Sequence, residues 1–269
     1  MSAPVASIAP RRATRILILT IIGAIFAIPI VAMIEFTLRR GLDGGYDASR
    51  WITVFSGQLG PAYAPVWQGI QNSLLLALVT VAIMLVLLVP TMILVTLKFP
   101  GLQRALEFVC LLPISIPAIV LVVGLAPVYQ VISRLAGSNP WTLAFAYGIL
   151  VLPFAYRAVQ SNIEAVDVVT LTEAARSLGA GWVTVIVSVL MPNLRRGLLA
   201  GAFISVAVVL GEYTIASLLS RTTLQTALVV ASKADAFIAV IFALLALLFA
   251  FVLLIVIGRI GRGRPGRTS

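Results

Sequence analysis

Apolar residues come in long blocks along this chain, and the blocks carry almost no charge. They fall at 16–34, 74–97, 108–131, 142–156, 198–219 and 237–257. A helix of about 20 apolar residues crosses the hydrocarbon layer of a bilayer, so each block is long enough or nearly so. A barrel strand would instead alternate apolar and polar residues over roughly ten positions. The run LLLALVTVAIMLVLLV shows no such alternation. The pattern predicts an all-α integral membrane fold with six transmembrane helices.

Two blocks carry their own punctuation. The third holds Pro113, Pro117 and Pro127, which predict kinks where neighbouring helices satisfy the freed carbonyls. The fourth is short and follows Ser138-Asn139-Pro140, a cap with proline in the first turn. A short span beside a polar segment predicts a helix inside the bundle and away from lipid. Between the first two blocks, GLDGGYD, Trp51, Gly60-Pro61 and Trp67 read as a surface loop with interfacial aromatics. The organisation expected is a tail at 1–15, a six-helix domain at 16–258 with a polar loop at 157–196, and a basic tail at 259–269.

That loop is where the pattern changes period. Ser161-x-x-Glu164 and Thr170-x-x-Glu173 have capping-box spacing, and the second is expected to start a short helix. Leu171, Ala174, Ala175 and Leu178 follow at i, i+3, i+4 and i+7, an apolar stripe with Glu173, Arg176 and Ser177 off it. Gly179 and Gly181 are expected to end the helix. About two turns of helix are unstable alone because nucleation dominates at that length. The alanine-rich face favours docking into a partner's groove over lying on lipid headgroups, which calls for large apolar anchors and a basic polar face.

Composition sharpens the membrane reading. Of 269 residues, 61% are hydrophobic and 10% charged, with a mean hydropathy of +1.12. Net charge is +10, and the basic residues serve orientation, leaving no call for nucleic acid as a partner. Arg11, Arg12, Arg15, Lys98, Arg104, Arg157, Arg176, Arg195, Arg196, Arg259, Arg262, Arg264 and Arg267 share one side; Arg39, Arg40, Arg50, Arg134, Arg221 and Lys233 share the other. The excess predicts both termini in the cytoplasm. The first block is long for the core of a secretory signal and is expected to remain a helix. One cysteine, Cys110, and no histidine exclude an internal disulfide, Cys/His metal sites and His-based catalysis. Glu164 and Asp167 stand three apart, but in the loop. No G-x-x-x-x-G-K-[ST] phosphate-binding loop occurs, so this chain does not hydrolyse ATP.

EAARSLGAGWVTVIVSVLMP at 173–192 resembles the EAA motif of permease subunits of bacterial ABC importers. The family pattern is E-A-A, three residues, Gly, nine residues, then I-x-L-P. Glu173, Ala174, Ala175, Gly179 and Pro192 match, while Val189 and Met191 replace Ile and Leu. QNSLLLALVTVAIMLVLLVP and FPGLQRALEFVCLLPISIPAIVLVVGLAPVY are similar to the helices that open that fold. The resemblance implies a type I importer permease in a bacterial inner membrane, multi-pass, with a coupling helix that docks into a cytoplasmic ATPase. The implied coupling residues are Leu171, Glu173, Ala174, Ala175, Arg176, Leu178 and Gly179: Glu173 as the polar contact, the alanines for close approach, Gly179 for the turn. The implied partners are two ATP-binding cassette subunits, a second permease chain, identical or homologous, and an extracytoplasmic substrate-binding protein. ATP and Mg belong to the ATPase, and no cofactor to this chain.

Glu212, in VAVVLGEYTIASLL, is the clearest acid within an apolar block. A carboxylate there costs a few kcal/mol, so it should face a cavity or a partner, with Tyr213, Thr214 and Ser217 as companions on the pathway or in a structural hydrogen bond. LGEYTIASLL resembles permeases of the polyamine, iron(III), thiamine and phosphonate branch. A lone acid favours a cationic or zwitterionic solute, and a polyamine is the leading expectation. The rival class is a self-contained secondary transporter or channel.

Overall fold

The computed structural model describes residues 12–41 and 44–261. Arg11 and the tail arginines 262, 264 and 267, with Leu42 and Asp43 of the first loop, lie outside the described residues. The chain folds as α1 (Arg12–Leu38), a short α2 (Ser49–Phe55), α3 (Pro61–Lys98), α4 (Gln103–Leu111), α5 (Ala118–Ala136) and α6 (Pro140–Val166). Then come α7 (Val168–Ser177), α8 (Trp182–Gly211), α9 (Thr214–Leu218), α10 (Leu224–Ala234) and α11 (Ala236–Gly261). Six helices, namely α1, α3, α5, α6, α8 and α11, are long and apolar enough to cross a membrane, as the block pattern predicts.

Their bounds differ from the blocks in an instructive way. α3 starts well before residue 74, because Asn72 and Ser73 are bonded inside the bundle. α6 runs ten residues beyond Tyr156, carrying Arg157, Gln160, Asn162 and Glu164 on helix. Ser161 therefore caps nothing: its hydroxyl donates to the Ala158 carbonyl. α8 starts at Trp182 and stops at Gly211, short of the predicted end at 219. At Pro113 and Pro117 the predicted kink is a full break, with helix giving way to a tight turn at Leu112–Ser115 and extended backbone at Ile116, while Pro127 lies inside the continuous α5. Pro140 does open α6, but the Asn139 side chain makes no cap hydrogen bond.

Helices α6 and α8 form the centre, and more than half of the apolar stretch of α6 is buried, as its short block predicts. Small residues bring the two backbones together. Gly197, Gly201 and Ser205 recur every fourth residue along the buried face of α8. The Gly197 amide donates to Asn162 Oδ1 at 2.8 Å, and a β-carbon there would sit 2.6 Å from Asn162 Cβ and 2.9 Å from the Ala158 carbonyl. Between apolar helices in lipid, such close packing and hydrogen bonding replace the hydrophobic drive to associate.

Both α3 and α8 widen into a π turn, Met84–Leu88 and Val185–Leu190, and each turn ends two residues before a proline, Pro90 or Pro192. A proline ring has no N–H and clashes with the carbonyl four residues back, and one extra residue in the turn relieves that clash. The two turns meet in one apolar cluster with Cys110, Tyr156 and Val159. Cys110 is a buried packing residue there, as its sequence setting suggests.

The first helix is peripheral: α1 is almost wholly exposed along its length and touches α11. Its end is pinned by α2, where Trp51 Nε1 donates to Thr37 Oγ1 at 2.9 Å. Arg50 reaches Asp235 at 3.3 Å, the Arg39 carbonyl at 2.8 Å and the face of Phe237 at 4.0 Å. Replacing Gly197 by Leu is expected to cost about 1–3 kcal/mol by overpacking, read as a lowered unfolding midpoint in detergent. Gly23→Leu, where nothing lies within 4 Å, serves as the control and should leave the midpoint unchanged.

Candidate functional site: a helix at one end of the bundle and a break within it

The short polar helix exists, with a different start. Asp167 is its N-cap, in left-handed conformation at φ 48°. The carboxylate accepts from the Thr170 amide and from the Thr170 hydroxyl at 2.7 Å. Thr170 is thus a helical residue and not the cap, because the acid three positions earlier outcompetes its hydroxyl for the free amides. The hydroxyl first, and then the amide, hold the Asp167 carboxyl below the ordinary carboxylate range. The helix closes as predicted at Gly179, at φ 86°. Gly179 N–H bonds the Arg176 carbonyl and Ala180 N–H the Ala175 carbonyl, the paired bonds of a Schellman stop. Gly181 does not end this helix. Extended at φ −72°, it precedes Trp182 as the N-cap of α8.

The predicted stripe divides between two surroundings. Leu171 and Ala175 join Val168 and Thr172 on the face toward the bundle. Ala174 is exposed, and Leu178 is 90% exposed. Together with Glu173 and Ser177 they make an outward surface of one acid, small residues and a bare leucine. Arg176 turns back instead. It donates to the Ala180 carbonyl at 3.1 Å and lies 5.1 Å from the Trp182 ring, which Lys98 approaches to 4.7 Å. The cations from α3 and α7 therefore share one indole at the start of α8, an arrangement worth roughly 0.5–1 kcal/mol per contact. α7 packs on the π turn of α8 and on the end of α3, so it is tied to the spans on either side.

At the opposite end of the bundle the fifth span breaks. Glu212 is extended at φ −84°, ψ 129°, and both carboxylate oxygens accept from the Ile215 amide at 3.0 and 3.1 Å. Glu212 is thus the side-chain cap of α9. Thr214 opens that helix, Ser217 lies in it, and Tyr213 is partly exposed. The buried Tyr147 hydroxyl lies within electrostatic reach of the carboxylate without closing a well-formed hydrogen bond. Non-helical backbone inside a bundle needs partners from the protein, and neighbouring side chains supply them. Gln225 Nε2 donates to the Leu210 carbonyl, Asn72 Nδ2 to the Thr222 carbonyl, and the Leu224 amide donates to Ser73 Oγ, each at 2.8 Å. Gly69 admits the loop closely, since a β-carbon there would fall 2.7 Å from the Thr223 carbonyl.

Residues 93–263 match the family model of the binding-protein-dependent transport system inner membrane component. The chain belongs to this family. A probable ABC transporter permease protein, y4fN, of Sinorhizobium fredii is 24% identical over 268 residues, covering 93% of this chain and 46% of its own length. The phosphate transport system permease protein PstA of Pasteurella multocida is 29% identical over 115 residues, 43% of this chain and 40% of its own. The chain thus spans about half the length of these curated relatives or less. The family and the six spans agree on a multi-pass inner-membrane protein with the expected all-helical permease fold.

Several residues of this family member escaped the linear reading. Asn72, Ser73 and Gln225 look like loop or interface polar residues, and only their cross-chain bonds reveal them as supports of the break. The small-residue spacing of Gly197, Gly201 and Ser205 was a signal available in the sequence.

Because the Asp167 carboxyl is held low in the folded state, its cap stabilises α7 fully above the ordinary carboxylate range and is lost as pH falls through the lowered value. Amide exchange across residues 168–177, taken relative to the intrinsic rate at each pH, should therefore stay slow near neutrality and accelerate in acid. Asp167→Asn keeps an acceptor that does not ionise, so that acceleration should vanish. An acid profile shared by both proteins would show that the cap does not govern the helix.

Proposed function

We propose that this chain is the membrane-spanning permease subunit of an ATP-driven importer and that α7 is its coupling helix. One observation carries this reading: α7 is keyed to α8 and α3 on one face while Glu173, Ala174, Ser177 and Leu178 stand bare on the other. A leucine so exposed beside small residues and an acid suits a groove in a soluble partner. In this reading two ATP-binding cassette subunits receive the helix, and ATP and Mg are used there. A second permease chain completes the pathway, an extracytoplasmic binding protein delivers the solute, and both termini are cytoplasmic. The chain itself binds no cofactor and catalyses no reaction.

The mechanism follows from the attachments. Closure of the ATPase pair displaces α7, and Arg176, Trp182 and Lys98 transmit that displacement to α8 and α3 as a rigid-body movement. The π turns lie just inside those two spans.

The solute reading changes with Glu212. A carboxylate occupied as a helix cap is poor support for a polyamine, and the expectation loses its ground. The name of the PstA relative, which transports phosphate, supports the anionic member of the expected group, a phosphoryl compound such as a phosphonate or phosphate.

Glu173→Arg is expected to keep the protein folded and to uncouple ATP hydrolysis from uptake in the assembled transporter. Gly179→Val should weaken coupling too, because a β-branched residue is strained at φ 86°. Co-purification followed by paired measurement of uptake and ATPase rate checks both. Normal uptake with both changes, at normal expression, would overturn the assignment of α7. Flux through the chain alone in liposomes would support a self-contained transporter instead.

A further inference from the structure

The strongest feature outside the coupling helix is an arginine with no counter-ion among the described residues. α9 ends in a Schellman-type stop whose left-handed residue is Ser220, at φ 54°, with the Arg221 amide bonded to the Ala216 carbonyl at 2.8 Å. Only Asp167 shares such a positive φ among the described non-glycine residues. Strain of this kind persists where the surroundings fix it, and it concentrates at binding sites. Here it sets Arg221 against α5. One guanidinium arm, Nη2, donates to Ser133 Oγ at 2.7 Å, while the buried Nε has no hydrogen-bond partner. No carboxylate lies within ion-pairing distance of Arg221 among the described residues.

A cationic group partly removed from water with one donor unpaired is costly, and an anion would supply both the opposite charge and the acceptor. Arg221 lines a groove of about 470 Å³ with Gln130, Ser133, Arg134 and Ser220. The other principal cavities are lined almost wholly by apolar side chains. A planar fork, a second guanidinium on the residue after Ser133, a hydroxyl and an amide together match the oxygens of a tetrahedral oxyanion. The groove adjoins the broken fifth span, and discontinuous helices are where transporter sites are built.

We propose that Arg221 and Arg134, with Ser133 and Gln130, form a binding station for a small phosphoryl oxyanion on the entry side of the pathway. The station deepens the permease reading and rests on it for its place in transport. Its occupant is the soluble solute. A lipid phosphate offers the same chemistry, and the test separates the two.

The test is equilibrium binding of radiolabelled orthophosphate to the full-length chain in maltoside detergent, where no lipid phosphate is supplied. Methylphosphonate and spermidine serve as competitors. Phosphate should bind saturably, methylphosphonate should displace it, and spermidine should not. Arg221→Gln should weaken binding at least tenfold. Arg134→Gln should weaken it several-fold, and since Arg134 is exposed this variant keeps the question open if the first fails to fold. Unchanged binding in both variants, or no binding by the wild type, would overturn the proposal. So would protection of the protein by phosphatidylglycerol alone, which would make the groove a headgroup clamp. The measurement needs no ATPase, so failed coupling with Arg-dependent phosphate binding intact would sink the coupling reading and leave the station standing.

Discussion

Inside hydrocarbon there is no water to satisfy a backbone amide or carbonyl, and an unsatisfied one costs several kcal/mol. Nearly every particular of this structure follows from that constraint. The spans are helices because helices satisfy themselves. Where helix stops within the bundle, at Glu212, that residue's own carboxylate and side chains of α3 and α10 take over the freed groups one by one. Ahead of Pro90 and Pro192, each of which removes a donor, the helix widens into a π turn. Buried hydroxyls such as Thr80 and Ser205 bond the carbonyl four residues back and so cross an apolar span without an orphan.

The same constraint separates scaffold from surface. The α6–α8 pair, locked through Gly197 and Asn162, is rigid because its contact is backbone-close. The ends of the bundle carry what is exposed and specific. At one end α7 shows an acid and a bare leucine outward while cations and an indole tie it inward. At the other, the turn after α9 sets a guanidinium in a polar groove. Because α7 packs on both α8 and α3, the proposed push from a partner would be passed to whole helices.

Much of this was legible in the chain before folding. The block pattern gave the membrane, the helical class and the number of spans. The EAA stretch gave a short helix closed at Gly179, and it lies within the residues 93–263 that match the family. The positions of caps were misjudged because several residues had suitable side chains. Thr170 had capping-box spacing, but Asp167 was close enough to take the same amide. Glu212 was expected to face a cavity or to bond with Tyr213, Thr214 or Ser217, and its partner is instead a backbone amide three residues on.

Periodicity and hydropathy therefore determined which segments cross the membrane, since transfer from water depends on local composition. They also determined where a small amphipathic helix interrupts the spans. Tertiary structure alone decided where the spans end, which polar residues support the break, that Glu212 is occupied and that Arg221 has no counter-ion among the described residues. Those outcomes depend on partners up to about 150 positions away in sequence, and a hydrogen bond across that distance leaves no trace in local pattern.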